Sequence, residues 1–329
     1  MSKLVTIFGG AGFVGRHIAR RMAQEGWRVR VACRRPNEAL FVKPYGAVGQ
    51  VEPVFCNIRD DASVAAALAG ADAAVNCVGT FDRGGANNFD AVQHLGAERI
   101  ARLATAGGLS QLVHISAIGA NEASESAYQR SKAEGEAAVQ AAFAGAVILR
   151  PSVIFGSGDD FFNRFAAMTR MGPILPIIGG NTRFQPVHVE DVAEAAVKGV
   201  LGQAKAGTYE LGGPDVDTFR GLMARMLVTI NRRRLVINLP FWIGSIMGGA
   251  FDLGSALTLG LVTNKVLTRD QVRSLRHDNI VGAQAKGFAD LGIVPSSMAS
   301  VLPDYLWCFR PSGQFDAIKA SAKNLRKHS

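Results

Sequence analysis

Short apolar runs alternate with amphipathic stretches through the first half of the chain. Six apolar runs have the length of buried strands and are predicted as such: Leu4–Phe8, Arg28–Cys33, Val51–Cys56, Ala73–Val78, Gln111–Ile115 and Ala146–Leu149. Helical spacing is found between them, over Val14–Glu25, Ser63–Ala69, Phe89–Ala106 and Tyr128–Ala142. Because strands that alternate with helices are typical of a parallel sheet covered on both faces, we predict an α/β fold with a doubly wound parallel sheet.

The regular alternation weakens after residue 150. We therefore interpret residues 1–150 as the main domain and expect later strands from about 151–215, including Gly207–Leu211, to complete its sheet. A further helix is expected near Asp191, whose carboxylate could cap it. Residues 216–329 are predicted to form a smaller, mostly helical C-terminal lobe that ends in a basic tail.

Residues 235–264 form an apolar stretch that follows three consecutive arginines, Arg232–Arg234. Asp252 is its single Asp, Glu, Lys or Arg, and Asn238 and Pro240 also interrupt its apolar character. A membrane span needs about 20 mainly apolar residues, so spanning is not predicted. Two interpretations stay open: a glycine-rich pair of core helices under the sheet, or a surface that lies on a membrane or a hydrophobic partner.

The charge of the chain limits the choice of partners. The 329 residues carry a formal net charge of +9, which favours nucleic acid, anionic lipid or acidic proteins. Nucleic acid is not expected, because the sequence has no basic platform interleaved with aromatic residues. The four cysteines lack metal-ligand spacing, so no metal site is expected. The first apolar run stops at Gly9–Gly10, which argues against a signal peptide and favours a cytosolic chain.

A glycine-rich turn directly follows the first predicted strand and gives the pattern GxxGxxG. Gly9 would permit the tight turn, Gly12 would let the backbone approach a pyrophosphate, and Gly15 would let the helix pack closely on the strand. The helix start at Phe13 and Val14 would then direct free N–H groups at the phosphates. In this strand–turn–helix context the pattern predicts a Rossmann dinucleotide-binding site.

The end of the second predicted strand indicates which dinucleotide is bound. An NAD site usually has an acidic residue there to hold the ribose 2′-hydroxyl group. This chain instead has Arg34 and Arg35, and a guanidinium group matches a 2′-phosphate in shape and charge. NADPH is therefore the predicted cofactor, and the alternative is two surface arginines at a strand end.

Two further stretches are expected to border the same cleft. Asn57 and Ile58 follow the third predicted strand and should lie beside the adenine. Cys77, Val78 and Gly79 end the fourth predicted strand, where small residues would let the backbone approach the ribose.

A tyrosine and a lysine on one helix face supply candidate chemistry. Tyr128 and Lys132 have the spacing YxxxK, and residues four apart share a helix face. Lys132 could hydrogen-bond the nicotinamide ribose, and its charge is expected to lower the pKa of Tyr128 so that the phenol becomes a usable acid. Ser116, at the end of the fifth predicted strand, is the candidate third group.

Taken together, these residues resemble the extended short-chain dehydrogenase/reductase family over about residues 1–215. The resemblance is carried by Gly9, Gly12, Gly15, Tyr128, Lys132 and the segments Arg150–Gly156 and Pro186–Ala193. It implies that Pro151 and Val153 also lie beside the cofactor. His188 and Asp191, in the second segment, are interpreted as a helix start rather than a catalytic pair.

A narrower resemblance concerns one atypical branch of that family. Val147–Gly156, Asp159–Phe165 and Leu267–Val272 resemble the nucleotide-binding accessory subunits of respiratory complex I, in their alpha-proteobacterial form. This resemblance implies a structural NADPH that is not turned over. It also implies docking on core subunits of the quinone-binding module, beside an anionic membrane surface at the cytoplasmic face of the bacterial inner membrane.

Three functions therefore remain open, and one of them is a redox-sensing binding module that reports NADPH to a partner without any chemistry. The first is the non-catalytic accessory subunit, in which Tyr128, Lys132 and Ser116 are vestigial or clamp the cofactor. The second is an independent NADP(H)-dependent short-chain reductase or epimerase that uses Tyr128 and Lys132. Ser116 stands in the run His114–Gly119, which lacks the series of serines or threonines that catalytic relatives often have there, and this favours the first function.

Overall fold

The structure, a computed structural model, describes residues 2–82, 84–257 and 268–315. Its strands in chain order are β1 (Leu4–Phe8), β2 (Arg28–Cys33), β3 (Val51–Phe55), β4 (Ala73–Asn76), β5 (Gln111–Ile115), β6 (Val147–Pro151), β7 (Ile154–Phe155), β8 (Ile174–Ile178), β9 (Arg183–Phe184), β10 (Val187–His188), β11 (Gly207–Leu211), β12 (Asp217–Thr218) and β13 (Leu235–Leu239). Its α-helices are α1 (Phe13–Gln24), α2 (Asp61–Leu68), α3 (Leu95–Ala106), α4 (Ala127–Ala142), α5 (Phe162–Met168), α6 (Val189–Val200), α7 (Phe219–Thr229), α8 (Phe241–Leu257), α9 (Arg269–Ser274) and α10 (Met298–Leu306).

Seven of these strands form one parallel sheet in the order β11-β6-β5-β4-β1-β2-β3. The order reverses between β1 and β4, and a ligand crevice opens at such a switch point, beyond the carboxyl ends of the strands. Pro53 lies in β3 at the edge of the sheet, where a missing N–H group is tolerated. The predicted doubly wound parallel sheet is therefore confirmed.

The sheet is covered on both faces, which explains why its central strand β1 is buried along its whole length. Val5 and Ile7 belong to the core on the face covered by α1 and α6. Phe8, the next residue of the same strand, belongs to the core on the opposite face, covered by α2, α3 and α4. Successive side chains of a strand point to opposite faces, so β1 contributes to both cores.

A third core lies in the smaller lobe. It is formed by α5, α7 and α10 and includes fully or nearly buried Phe155, Phe162 and Leu306. An aromatic cluster runs through it, with ring centroids 5.0–6.2 Å apart among Phe161, Phe162, Phe165, Phe184 and Phe219. The lobe thus combines residues from both sides of position 216, because α5 packs with α7 and α10.

Helix α6 begins at Val189, and His188 occupies its N-cap, so the prediction that Asp191 caps this helix is wrong. The backbone at His188 is extended, with φ −70° and ψ 137°, as an N-cap requires. Asp191 lies inside the first turn and is buried. Its carboxylate accepts hydrogen bonds from the Ser296 backbone N–H (2.7 Å) and hydroxyl (3.0 Å) and so ties the helix to the segment before α10.

A 3₁₀-helical segment, Pro36–Tyr45, connects β2 to β3 and has no counterpart in the sequence prediction. Pro36 starts it and Pro44 interrupts it. Ala39 and Val42 are the side chains it buries, which is too few to produce a helical hydrophobic period.

The apolar stretch that follows the three arginines begins with β13, which pairs in parallel with β8, and continues as α8. Trp242 and Ile246 on α8 are 64% and 60% exposed. Across the described residues, no helix has the combination of length and hydropathy that a membrane crossing requires. The predictions for residues 258–264 and for the tail beyond residue 315 lie outside the described residues.

Candidate nucleotide-binding site

The glycine turn between β1 and α1 has little room for side chains at two of its three positions. Gly9 has a φ of +74°, and a Cβ atom there would lie 3.2 Å from the backbone of Cys77. A Cβ atom on Gly15 would lie 2.4 Å from the carbonyl oxygen of Gly9, so the helix could not pack as it does. A Cβ atom on Gly12 would meet only that oxygen, at 3.2 Å, and otherwise points into open space. Open space at this position is what the close approach of a diphosphate needs.

The N-terminus of α1 faces the same space. Gly12 is the N-cap, no side chain of the described residues caps this helix end, and its first turn contains no acidic residue. The N–H groups of the first turn, which begins at Phe13 and Val14, have no partner within the helix. Uncapped N–H groups and the positive end of the helix dipole together fit a phosphate. The turn therefore fits the diphosphate of a dinucleotide.

The two arginines after β2 are not equivalent. Both side chains are exposed, but Arg35 Nη1 donates to Glu38 Oε1 at 3.1 Å. Arg34 makes no hydrogen bond or ion pair with any residue that the structure describes. Arg34 is therefore the more available partner for a 2′-phosphate.

Asn57 and Ile58 lie directly after β3, at the carboxyl end of the sheet. The Asn57 side chain turns back to accept from the Arg59 backbone N–H at 3.2 Å, and its own backbone N–H donates to the Ser63 hydroxyl. Ile58 is half-buried and packs against α3 at Gly96, where a Cβ atom would be 2.8 Å from Ile58 Cδ1.

Cys77, Val78 and Gly79 line the end of β4. The Cys77 backbone N–H donates to the carbonyl of Phe8 at 2.9 Å and so extends the pairing of β4 with β1. Burial raises the pKa of the Cys77 thiol to about 12, so the thiol stays protonated. A Cβ atom on Gly79 would lie 3.8 Å from Lys132 Nζ, which links this segment to the helix that carries the lysine.

Lys132 is buried, 6% exposed, and its ammonium donates to the carbonyl of Ile115 at 3.2 Å. Burial lowers its pKa to about 8, while the negative charge of Glu136 acts in the opposite direction. An ammonium group with one described acceptor keeps donors free for a ribose hydroxyl. The group is therefore suited to holding a ligand.

Burial dominates the electrostatics of Tyr128. Burial raises the pKa of its phenol to about 12, so the expectation that Lys132 lowers this pKa is wrong. Desolvation dominates, and the lysine ammonium is engaged with the backbone of β5. The Tyr128 ring is stacked on Phe81, with centroids 5.2 Å apart, and meets Phe89 edge-on at 6.0 Å. Its hydroxyl has no hydrogen-bond partner among the described residues.

Ser116, directly after β5, is buried, and its hydroxyl has no partner in the described part of the chain. Neighbouring His114 is also buried: Asn76 Nδ2 donates to its Nδ1 at 3.1 Å, and its Nε2 is unpartnered. Burial, with a smaller effect of the Lys132 charge, lowers the pKa of His114 to about 3. Buried polar atoms nearly always have a partner. The Ser116 hydroxyl and His114 Nε2 have no such partner, and both lie near Lys132, as expected if a polar ligand binds there.

Pro151 and Val153 lie at the end of β6, on the same edge of the sheet. The carbonyl of Pro151 accepts from the Ile118 N–H at 3.0 Å, and that of Val153 accepts from the Val187 N–H at 3.0 Å. The fold thus brings the sequence-predicted residues to one end of the sheet, with the glycine turn at β1 and the tyrosine helix beyond β5.

The sequence analysis does not predict one residue that contacts the site. Asp270, in α9 of the smaller lobe, is 2% exposed and contacts the start of α4, the helix of Tyr128 and Lys132. About 140 residues separate the two segments, so no local spacing connects them.

Outside the cleft, Asp90, His94 and Glu134 lie close enough to share an ion. His94 Nδ1 is 2.9 Å from Asp90 Oδ1, so these two side chains already satisfy each other at the protein surface. We assign no metal to this group.

A parallel sheet of seven strands with a glycine turn at its switch point defines the class of Rossmann-fold nucleotide-binding proteins. Comparison with protein families agrees: residues 5–212 match the NAD dependent epimerase/dehydratase family, and the chain belongs to that family. A solved structure of dTDP-glucose 4,6-dehydratase from Bacillus anthracis, in complex with NAD, has the same fold, with a TM-score of 0.70. The match covers 95% of this chain and 98% of that one at 14% identity.

The similarity to one particular protein extends over nearly the whole chain. NADH dehydrogenase (ubiquinone) 1 alpha subcomplex subunit 9 of Arabidopsis thaliana is 33% identical over 94% of this chain and 79% of its own length. The resemblance to complex I accessory subunits is therefore confirmed. A ceramide reductase of Caulobacter vibrioides is 34% identical, but over 59% of this chain and 60% of its own length.

Proposed function

We propose that this protein is a non-catalytic accessory subunit of a respiratory NADH:quinone oxidoreductase and that it holds NADPH as a structural ligand. The observation that carries the proposal is the similarity to a named complex I subunit over 94% of the chain, including the smaller lobe. By contrast, the match to the reductase covers 59% of the chain.

The choice of NADPH is supported by the end of β2. The sequence from Cys33 to Pro36 contains no carboxylate that could accept a ribose 2′-hydroxyl. Arg34 is exposed and unpaired among the described residues, and a guanidinium group is a strong partner for a phosphate. The uncapped start of α1 would hold the diphosphate, and Lys132 would hold the nicotinamide ribose.

The absence of turnover is supported by the other end of the cleft. A phenol with a pKa of about 12 is a poor proton donor at neutral pH. Phe81 also stacks on one face of its ring, with centroids 5.2 Å apart. We therefore assign Tyr128, Lys132 and Ser116 to cofactor binding rather than catalysis.

The docking site is proposed to face the quinone-binding module, beside an anionic membrane surface at the cytoplasmic face of the bacterial inner membrane. The net charge of +9 favours acidic partners and anionic lipid. The smaller lobe exposes Trp242, Ile246 and Met247 on α8, and Arg233 lies exposed before β13. Apolar side chains next to cations suit contact with a protein or lipid surface.

The proposal is tested by purifying the tagged full-length chain from the membranes of its own cells in mild detergent. Core subunits of the quinone-binding module should co-purify, and mass analysis of the released nucleotide should show NADPH in about equal amount to the chain. If the intact complex is recovered without this chain, the subunit assignment is wrong. If the chain carries no nucleotide and takes up none at millimolar supply, the cofactor assignment is wrong.

The second candidate is an independent NADP(H)-dependent reductase or epimerase, and the similarity to ceramide reductase favours it. Replacement of Tyr128 by Phe separates the two functions. An enzyme would lose its activity, whereas the accessory subunit would still assemble and keep its nucleotide.

A further inference from the structure

We infer that Asp270 is a positioning residue for the nucleotide site: from the smaller lobe, it holds the start of the helix that carries Tyr128 and Lys132. The inference rests on the proposed binding of NADPH. It adds to that site a residue that lies outside the family match, which ends at residue 212.

The contacts of Asp270 with α4 form a complete helix cap. Its Oδ1 accepts from the Ala127 N–H at 2.8 Å, and its Oδ2 accepts from the Tyr128 N–H at 3.0 Å and from the Ser126 hydroxyl at 2.7 Å. Ser126 is the N-cap of α4, and its own hydroxyl accepts from the Gln129 N–H at 3.4 Å. A buried carboxylate thus meets the positive end of the helix, where its charge is most stabilising.

Asp270 is itself fixed by the smaller lobe. Helix α9 begins with a capping box between Thr268 and Gln271, and the Ser274 hydroxyl donates to the Ser126 hydroxyl at 3.1 Å. Helix α8 packs closely on this start: a Cβ atom on Gly248 would lie 2.8 Å from the Arg269 backbone nitrogen. The carboxylate therefore has a defined position relative to α4, as preorganisation of a site requires.

Holding the first turn of α4 fixes both ligand-facing side chains. Tyr128 is in that turn, with its ring between Phe81 and Phe89, and Lys132 follows one turn later. Lys132 Nζ reaches the carbonyl of Ile115 at 3.2 Å, so a small shift of the helix would break this contact. Because binding sites are sensitive to displacements of about 1 Å, loss of the cap should weaken nucleotide binding.

The coupling is reciprocal. If the position of α9 favours nucleotide binding, bound nucleotide must stabilise the contact of α9 with α4 by the same free energy. Since α8 packs on the start of α9, nucleotide would also support the helix that exposes Trp242 and Ile246. Occupancy of the cleft and order of the smaller lobe are thus linked.

The first experiment measures NADPH affinity of the full-length chain after Asp270→Asn. We expect binding to weaken by roughly tenfold, because an amide keeps the size of the side chain but loses its charge and one of its two acceptor oxygens. Asp159→Asn is the matched control: Asp159 is 3% exposed and accepts from three backbone N–H groups and from Tyr305, all of them outside α4. The affinity of this control variant for NADPH should change by less than about twofold.

A double-mutant cycle separates positioning from general destabilisation. If Asp270 acts through α4, Asp270→Asn should weaken binding much less when Lys132 is already Met, because the lysine it positions is gone. Equal effects in both backgrounds would overturn the inference, and so would unchanged affinity in the single variant. If the unaltered protein binds no NADPH, it is the proposed function that fails.

Hydrogen exchange tests the same inference without any substitution and covers the case in which Asp270→Asn does not fold. NADPH should slow exchange at the amides of Ala127 and Tyr128 and within α9, and should have a much smaller effect within α5. Protection confined to the glycine turn and α1, with α9 unchanged, would overturn the inference.

Discussion

The two ends of the candidate cleft differ: the end near β1 is expected to bind a diphosphate, and the end near β5 carries the candidate acid Tyr128. At the end near β1, the uncapped start of α1 and the open space beside Gly12 fit a diphosphate without any rearrangement. At the end near β5, Tyr128 has a raised pKa, a phenylalanine on its ring and no hydrogen-bond partner for its hydroxyl among the described residues. The first end thus has open space and free backbone N–H groups, whereas the second is dominated by buried aromatic packing.

Diphosphate binding and acid catalysis have different physical requirements, and one can be met without the other. Binding a diphosphate depends on backbone N–H groups and on missing side chains, which the strand–turn–helix geometry supplies. Acid catalysis depends on a pKa near the working pH, which burial alone can remove. A chain can therefore retain a nucleotide site while its catalytic residues become part of the scaffold around the ligand.

The largest expected effect is at the diphosphate end. Replacement of Gly12 by Asp places a carboxylate where the phosphates would lie and should weaken NADPH binding by at least about 100-fold through like-charge repulsion. Titration of NADPH into the purified variant, followed by fluorescence, measures this. Gly172→Asp is the control, because a Cβ atom there meets nothing within 4 Å. Retained affinity in the Gly12 variant would show that the diphosphate does not lie at this turn.

The next largest effect tests whether the bound nucleotide is NADPH or NADH. Replacement of Arg34 by Ser should weaken NADPH binding by about 10- to 100-fold through loss of a charge-assisted phosphate contact. The affinity for NADH should stay unchanged, so the ratio of the two dissociation constants is the measurement. Arg35→Ser should change NADPH affinity by less than about threefold, since Arg35 forms an exposed pair with Glu38. Equal losses for both nucleotides would contradict a 2′-phosphate contact.

The protonation of Lys132 predicts opposite pH trends for two quantities. As pH rises, NADPH affinity should fall and the free energy of unfolding should rise. The pKa of Lys132 is about 8 in the folded protein, and that of an unfolded lysine is about 10.4, so between these values the unfolded chain holds more protons. The contribution of Lys132 to the free energy of unfolding should therefore rise with pH in this window, by up to about 1.4 kcal/mol per pH unit. NADPH affinity should fall by roughly tenfold from pH 7 to pH 9 as the ammonium group is lost.

Urea unfolding and NADPH titration at several pH values between 7 and 10 measure the two trends. Lys132→Met is the control and should remove both slopes. A pH-independent affinity in the unaltered protein would mean that the ammonium group does not hold the nucleotide.

The smallest effect is expected at Tyr128. Replacement by Phe keeps the stack with Phe81 and Phe89 and removes a hydroxyl without a described partner, so NADPH affinity should change by less than about threefold. Assembly into the respiratory complex, measured by native gel, should be unaffected. Loss of an NADPH-dependent activity in this variant would favour the reductase instead. It would mean that the Tyr128 end of the cleft is catalytic.

Much of the fold follows from local sequence. The predicted strands match the observed ones to within two residues at each end, because buried parallel strands are short apolar runs bounded by glycines and polar turns. The helical segment Pro36–Tyr45 is not predicted from the sequence, because it buries only two side chains and so has no helical hydrophobic period. The start of α6 was misplaced because both His188 and Asp191 are polar residues near a helix start, and only the backbone angles distinguish them.

Local patterns in the chain are enough to predict the strands, the glycine turn with Gly9, Gly12 and Gly15, and the shared helix face of Tyr128 and Lys132, since each depends on residues a few positions apart. The electrostatics of the site, by contrast, depend on the packed fold: the raised pKa of the Tyr128 phenol and the lowered pKa of the Lys132 ammonium group both arise from burial. The packed fold also brings Asp270 to the start of α4. Burial and long-range contacts depend on how distant segments pack, and no local pattern of residue types encodes that.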